Sequence, residues 1–316
     1  MPASADRPWP ELPPKSTGPY ARLKDSLSDP KVRRWLRVAG LVLLGAAGLV
    51  IVLGVVLFAT RTYSFDTATV PPGAVRGLDV DSDVGEVSAI GSDRRDTLAL
   101  WQLRYSLVKP RLEHTVSDGT LRLRSRCPAT SFRCSVILGS QVPRQTAVSV
   151  RTRDASVTVQ DVSAPVAVST RSGAVTMDHV TARVRIDSSS GPVTLSGLAG
   201  DVAARTVSAP IEAVDTHGRA DLTTDSGPIT CNAQAVDMFR ARTGSGWVTV
   251  NFNVPPQRVE VRSASGEVDL RVPAGPYRLE LQSPAGRVRL EGVRSDPSAT
   301  RVLRIATGGG IHISAT

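Results

Sequence analysis

The sequence predicts an all-β chain, a parallel β-solenoid of about nine coils of 18–20 residues with an N-terminal β cap, preceded by one transmembrane helix. Three observations carry this. The pattern apolar-x-apolar-x-Ser/Thr-x-Ser-Gly-x-apolar-x-apolar recurs nine times. Its anchors, the first apolar residues after the Ser-Gly, are Val157, Val175, Val193, Ile211, Ile229, Val248, Val268, Val288 and Ile311, spaced 18, 18, 18, 18, 19, 20, 20 and 23 residues apart. Far upstream, residues 38–60 run for 23 positions without a charge.

Taken in order, residues 1–37 hold seven prolines and little apolar content, which predicts a disordered cytoplasmic tail. Residues 38–60 are long enough to cross a bilayer as a helix. Arg22, Lys24, Lys31, Arg33, Arg34 and Arg37 precede them and only Arg61 follows closely, so the amino end is expected in the cytoplasm and the rest outside. A cleaved signal peptide fits less well, because the leader is 37 residues long and Leu57-Phe58-Ala59 lacks a small-x-small site. Residues 61–74, with Pro71 and Pro72, read as a linker. Residues 75–146 read as a β cap in which Ser117-Asp118-Gly119 turns a hairpin, and 147–316 as the repeats.

Within each repeat, two period-2 segments flank a polar turn. Seven positions separate the last apolar residue of the first segment from the anchor in eight copies, as from Val150 to Val157, so extra length falls in the return loops. Gly stands two residues before the anchor in seven of nine copies, Ala155 and Ala209 being the exceptions, which implies positive φ or a close backbone approach. A hydroxyl follows every first segment, from Thr152 to Thr307, placed to bond a turn amide or the coil above. One coil cannot stand alone: four buried apolar side chains return roughly 1.5–3 kcal/mol each, whereas ordering about 18 residues costs roughly 1–2 kcal/mol apiece. Stacking supplies the difference, with rungs about 4.8 Å apart making a rod on the order of 40 Å. A row of antiparallel hairpins is the alternative; handedness stays open.

Charge argues against nucleic acid. The chain carries +9, but the tail and Arg61 supply much of it, leaving 29 basic against 25 acidic residues beyond them. Arg240, Arg242, Arg258 and Arg262 recur on neighbouring coils and are the candidate polyanion-binding residues, with a solvated face as the alternative. Cys127 and Cys134 are expected to pair, and Cys231, in the slot of Val159, Met177 and Leu195, to be a buried free thiol. His114, His179, His217 and His312 form no metal-ligand spacing, and no nucleophile elbow, phosphate loop or dinucleotide fingerprint occurs. Calcium at Asp154, Asp187 and Asp225 lacks the nonapeptide pattern, and Trp247 with Phe252 reads as packing before it reads as a sugar platform. No catalytic residue, cofactor or metal is expected.

Val84-Gly85-Glu86-Val87, followed by coils such as Ser265-Gly266-Glu267-Val268-Asp269-Leu270, resembles the bacterial putative-adhesin β-strand-repeat family, of the membrane-anchored kind common in actinobacteria. The resemblance runs from about Val75 to the carboxyl end and implies a β-solenoid linked to the cell envelope, with no catalytic residues to carry over. The expected function is therefore a non-enzymatic, membrane-anchored extracytoplasmic solenoid, adhesin-like, that binds or organises envelope components. Two alternatives stand beside it: a polysaccharide-active enzyme using Asp221, Asp225 and Arg219, and an envelope-stress sensor signalling through the tail. Expected partners are the membrane, a cell-wall polymer or anionic lipid, and a second copy through the C-terminal coil, where Ile311-His312-Ile313 reads as a bare strand edge.

Overall fold

The computed structural model describes residues 30–59, 62–71, 73, 75–129 and 131–316. They fall into two units, one ending at Ala59 and one running from Thr60 to Thr316. In the first, helix α1 (Pro30–Ala59) starts earlier than the expected span, so residues 30–37 are helical and not tail; residues 1–29 of the expected tail lie outside the described residues. Among the described residues no helix is long and apolar enough to cross a membrane.

The second unit is all-β. Its first strands are β1 (Thr62–Val70), β2 (Gly77–Ser82), β3 (Gly85–Ser92), β4 (Thr97–Ser106), β5 (Arg111–Ser117), β6 (Thr120–Arg126) and β7 (Phe132–Pro143). The regular repeats follow as β8 (Ala147–Thr152), β9 (Ser156–Gln160), β10 (Val166–Thr170), β11 (Val175–Asp178), β12 (Val184–Ser188), β13 (Val193–Ser196), β14 (Val202–Thr206), β15 (Ile211–Thr224) and β16 (Ile229–Thr243). The last are β17 (Val248–Phe252), β18 (Arg258–Ser263), β19 (Val268–Val272), β20 (Arg278–Gln282), β21 (Val288–Glu291), β22 (Val302–Thr307) and β23 (Ile311–Ala315).

Each repeat is one rung, its first segment in a front sheet and its second in a back sheet. The front sheet runs β5-β6-β2-β8-β10-β12-β14-β15-β16-β18-β22-β20, and the back sheet β1-β4-β7-β3-β9-β11-β13-β15-β16-β17-β19-β23-β21. Every rung-to-rung pairing is parallel and in register, Val157 opposite Val175 and Val175 opposite Val193, which rules out a row of hairpins. Among the described residues antiparallel pairs occur only at the amino-terminal end, among β1, β4 and β7 and in the β5–β6 hairpin. That hairpin turns at Asp118 and Gly119, both at positive φ, as its sequence predicts. Long strands β15 and β16 continue from one sheet into the other, with register shifts at the crossing.

Four expectations are corrected. Residues 62–70, read as linker, form β1 and pair with β4 along their whole length. The expected cap holds two further rungs, β2/β3 and β6/β7, giving eleven among the described residues. Spatial order departs from chain order at both ends: β6/β7 lies outside β2/β3, and the final rung β22/β23 is inserted between β18/β19 and β20/β21. The Ile311–Ile313 strand is consequently paired on both sides, and the outermost strands at that end are β20 and β21.

Inward side chains of both sheets form one core. Val157, Val175, Val193, Ile211, Ile229, Val248 and Val268 are at most 1% exposed. At the corner between sheets the recurring hydroxyl does two jobs. Thr243 accepts a hydrogen bond from the Gly246 N–H (3.0 Å) and donates to the Gly227 carbonyl one rung away (3.1 Å). Ser263 repeats this with Gly266 and Gly246. The ladder extends into the cap, where Ser125 donates to Ser82 at 2.7 Å. Close approach, not φ, explains the corner glycines of the regular rungs: a Cβ on Gly173, Gly191 or Gly266 would lie 1.8–1.9 Å from a carbonyl oxygen of the neighbouring rung. Cys127 and Cys134 are disulfide-bonded across the loop before β7, and Cys231 is a buried free thiol whose titration is pushed up to about 12 by burial.

Candidate functional site

Strand alternation turns every second residue of the front sheet outward, and parallel register stacks equivalents into columns. One column reads Asp221, Arg240, Glu260, Arg304, Glu280, alternating in sign over five successive rungs. Two residues on, the adjacent column reads Thr223, Arg242, Arg262, Ala306, Gln282. Like charges therefore meet at Arg242 and Arg262, and each leans toward an acid of the first column: Arg242 to Asp221 at 3.9 Å and Arg262 to Glu260 at 2.8 Å. Arg240 sits between Asp221 (3.4 Å) and Glu260 (3.3 Å).

These contacts set the electrostatics. Burial alone would raise the Glu260 carboxyl, but Arg262 and Arg240 outweigh it and hold it below the usual carboxylate range. Burial likewise opposes the charge of Arg240, and Glu260 and Asp221 more than offset it. The structure thus brings all four sequence candidates onto one face but engages three of them internally; Arg258, exposed, has no carboxylate partner among the described residues. Four arginines against two carboxylates leave the patch positive. It borders a shallow depression of about 700 Å³ lined by Asp225, Arg242, Arg262, Gln282 and Thr307.

Asp221 is held by Arg240 and Arg242, whereas Asp225 stands exposed at the corner, so the residues named for an enzyme do not converge as an acid–base pair. Among the described residues no group of three His, Cys, Asp or Glu side chains is arranged to hold a metal. Phe252 is core, packed edge-on against Phe239 with ring centroids 5.5 Å apart, while Trp247 is 59% exposed.

The back sheet is chemically different, and the sequence reading missed it. Its outward column runs Thr158, Thr176, Thr194, Glu212, Thr230, Thr249, with Gln160, Asp178, Ser196, Val214, Asn232 and Asn251 beside it. No arginine interrupts these six rungs. The signal is present in the sequence as a Thr directly after five of the nine anchors, Thr158, Thr176, Thr194, Thr230 and Thr249.

No curated protein matches the chain. Solved structures similar to it include a "putative adhesin" from Parabacteroides merdae (10% identity, 80% of this chain and 96% of that one, TM-score 0.39). A "putative lipid binding protein" from Parabacteroides distasonis aligns at 12% identity over 79% of this chain and 96% of that one, TM-score 0.40. A "putative adhesin" from Bacteroides fragilis aligns at 10% identity over 80% and 97%, TM-score 0.31. The Toastrack DUF4097 family matches residues 78–301, from the first inward residue of β2 to the loop before β22, and the chain belongs to that family.

Proposed function

We propose that the protein is a non-enzymatic, single-pass membrane protein whose β-unit lies outside the cytoplasm and binds an anionic envelope component through its front sheet. The observation that carries this is the positive surplus at Arg240, Arg242, Arg258 and Arg262 on a surface whose charges repeat from rung to rung. A polymer or lipid surface bearing regularly spaced phosphates or carboxylates presents the complementary series. Anchoring is supported by the 23 uncharged positions 38–60, by the basic residues before them, and by the exposed apolar side chains of α1, Leu41, Val42, Leu43, Leu44 and Leu49 among them. Oxidised Cys127 and Cys134 suit an oxidising compartment.

The test is cosedimentation of the chain comprising residues 1–316, in detergent, with a polyglycerol-phosphate polymer, with anionic vesicles and with neutral glycans. Binding to an anionic target that weakens with salt, and that falls about tenfold or more in Arg258→Glu/Arg262→Glu, is the expected result. Binding to neutral glycans alone, or equal binding by the variant, overturns it. Turnover of any glycan would instead favour the enzyme.

A further inference from the structure

Beside the column that begins at Asp221, two residues earlier along each strand, a third outward column of the front sheet carries the unpaired charge. It reads Arg183, Asp201, Arg219, Met238, Arg258 over the successive rungs of β12, β14, β15, β16 and β18. Arginine recurs on every second rung and never on consecutive ones. With rungs about 4.8 Å apart, the three positions stand about 9.6 Å from one another and about 19 Å from first to last.

The two columns differ in how their charges are satisfied. In the Asp221 column, Asp221, Arg240 and Glu260 hold one another. Arg183, Arg219 and Arg258 are exposed and form no ion pair among the described residues, nor does the exposed Asp201 between the first two. A depression of about 350 Å³ follows this stretch, lined by Arg183, Arg185, Asp201, Ala203, Arg219 and Met238. The free series has definite ends. One rung beyond Arg258 stands Val302, only 5% exposed, and the next, Arg278, meets Glu280 at 3.5 Å. In the other direction the column continues with Pro165 and Ala147, which carry no charge.

We infer that this column binds a linear acidic polysaccharide bearing one carboxylate per disaccharide, extended along the stack. The inference rests on the proposed reading of the front sheet as an anion-binding face and names the ligand class. Parallel register fixes the cation period at two rungs, and an extended sugar chain repeats its carboxylate at a similar distance when only alternate sugars are acidic. The intervening neutral sugar then lies over Asp201, which accepts hydrogen bonds from its hydroxyls, or over the half-buried Met238, against which the C–H face of a ring packs. A polymer acidic at every sugar would set a carboxylate against Asp201, where like charges repel.

The experiment measures calorimetric binding of the chain comprising residues 1–316, in detergent, to three probes. These are size-defined hyaluronate, with one carboxylate per disaccharide, oligogalacturonate of equal length, with one on every sugar, and polyglycerol phosphate. Affinity for hyaluronate should rise about threefold or more with each disaccharide up to the hexasaccharide, whose three carboxylates match the three arginines, and change little beyond it. Arg183→Gln/Arg219→Gln should weaken hexasaccharide binding about tenfold. Asp201→Arg, which puts a cation on three consecutive rungs, should turn the preference toward oligogalacturonate. All three positions are exposed, so folding is retained. Hyaluronate binding that is indifferent to the double variant, or tighter binding of oligogalacturonate or polyglycerol phosphate by the unmodified chain, overturns the inference. If those other polymers still require Arg258 and Arg262, the broader reading of the front sheet stands; failure to bind any anionic probe removes both.

Discussion

A Cβ on Gly246 would lie 1.9 Å from the carbonyl oxygen of Gly227, one rung below it, so the backbone of each corner rests against the next with no room for a side chain. Gly246→Ala should therefore push two rungs apart and cost about 2–3 kcal/mol in urea unfolding. Gly139, in β7, has nothing within 4 Å of its Cβ position. Gly139→Ala should be neutral within about 1 kcal/mol.

Thr243 joins the same two glycines through its hydroxyl. Thr243→Val keeps the shape and strands the Gly246 N–H and the Gly227 carbonyl away from water, for a loss of about 1–3 kcal/mol. Thr243→Ser keeps both bonds, and comparing the two variants by thermal unfolding separates hydrogen bonding from packing.

Glu260 gives the stability a pH dependence of definite sign. Its carboxyl is held below the usual range, so its contribution is present above the unfolded value of about 4.3 and is lost as pH falls through the lower folded value. Arg240 and Arg262 are partly exposed, which limits the effect to about 1 kcal/mol. Glu260→Gln should flatten unfolding free energy against pH on the acid side and leave the slope near neutrality unchanged.

Cys231 should be inert. Its thiol is buried against Thr216 and pushed up to about 12, so little thiolate exists near pH 8. A thiol reagent should modify the native, oxidised protein slowly and the denatured protein fully; rapid native labelling would contradict the packing of β16.

Removing residues 302–316 should cost two rungs. The deletion takes away β22/β23, on which β20/β21 rests from both sheets. Trypsin should then cut readily after Arg278, Arg287 and Arg289, while cleavage within β8–β19 stays slow.

The period-2 pattern and its 18–20-residue spacing made the regular rungs legible, because each inward position must be apolar whichever rung lies beside it. The β2/β3 rung obeys the same rule, with Leu78, Val80, Ser82, Gly85 and Val87 at the expected offsets, but β4–β7 separate it in sequence from the regular run, which breaks the 18-residue spacing. The β6/β7 rung is hidden by its corner, where the disulfide loop separates Leu123 from Leu138, the partner of Val87, by fifteen positions and not seven. Adjacency was illegible for a different reason. Any apolar rung can lie on any other, so nothing in Ile311-His312-Ile313 distinguishes an end from an interior place. The arginine columns were visible as a recurrence, but their neutralisation by Asp221 and Glu260 depends on sign alternating between rungs, which becomes apparent only with the register known.

The exchanged order of the last two rungs also bears on how the protein is made. A chain emerging from its amino end can lay each regular coil on the one before it as far as Val272. The segment Arg278–Glu291 then arrives ahead of its support and must wait, loosely held, until Val302–Ala315 slips beneath it. Completion of this end thus falls to the later of the two segments to be made, which works as a keystone.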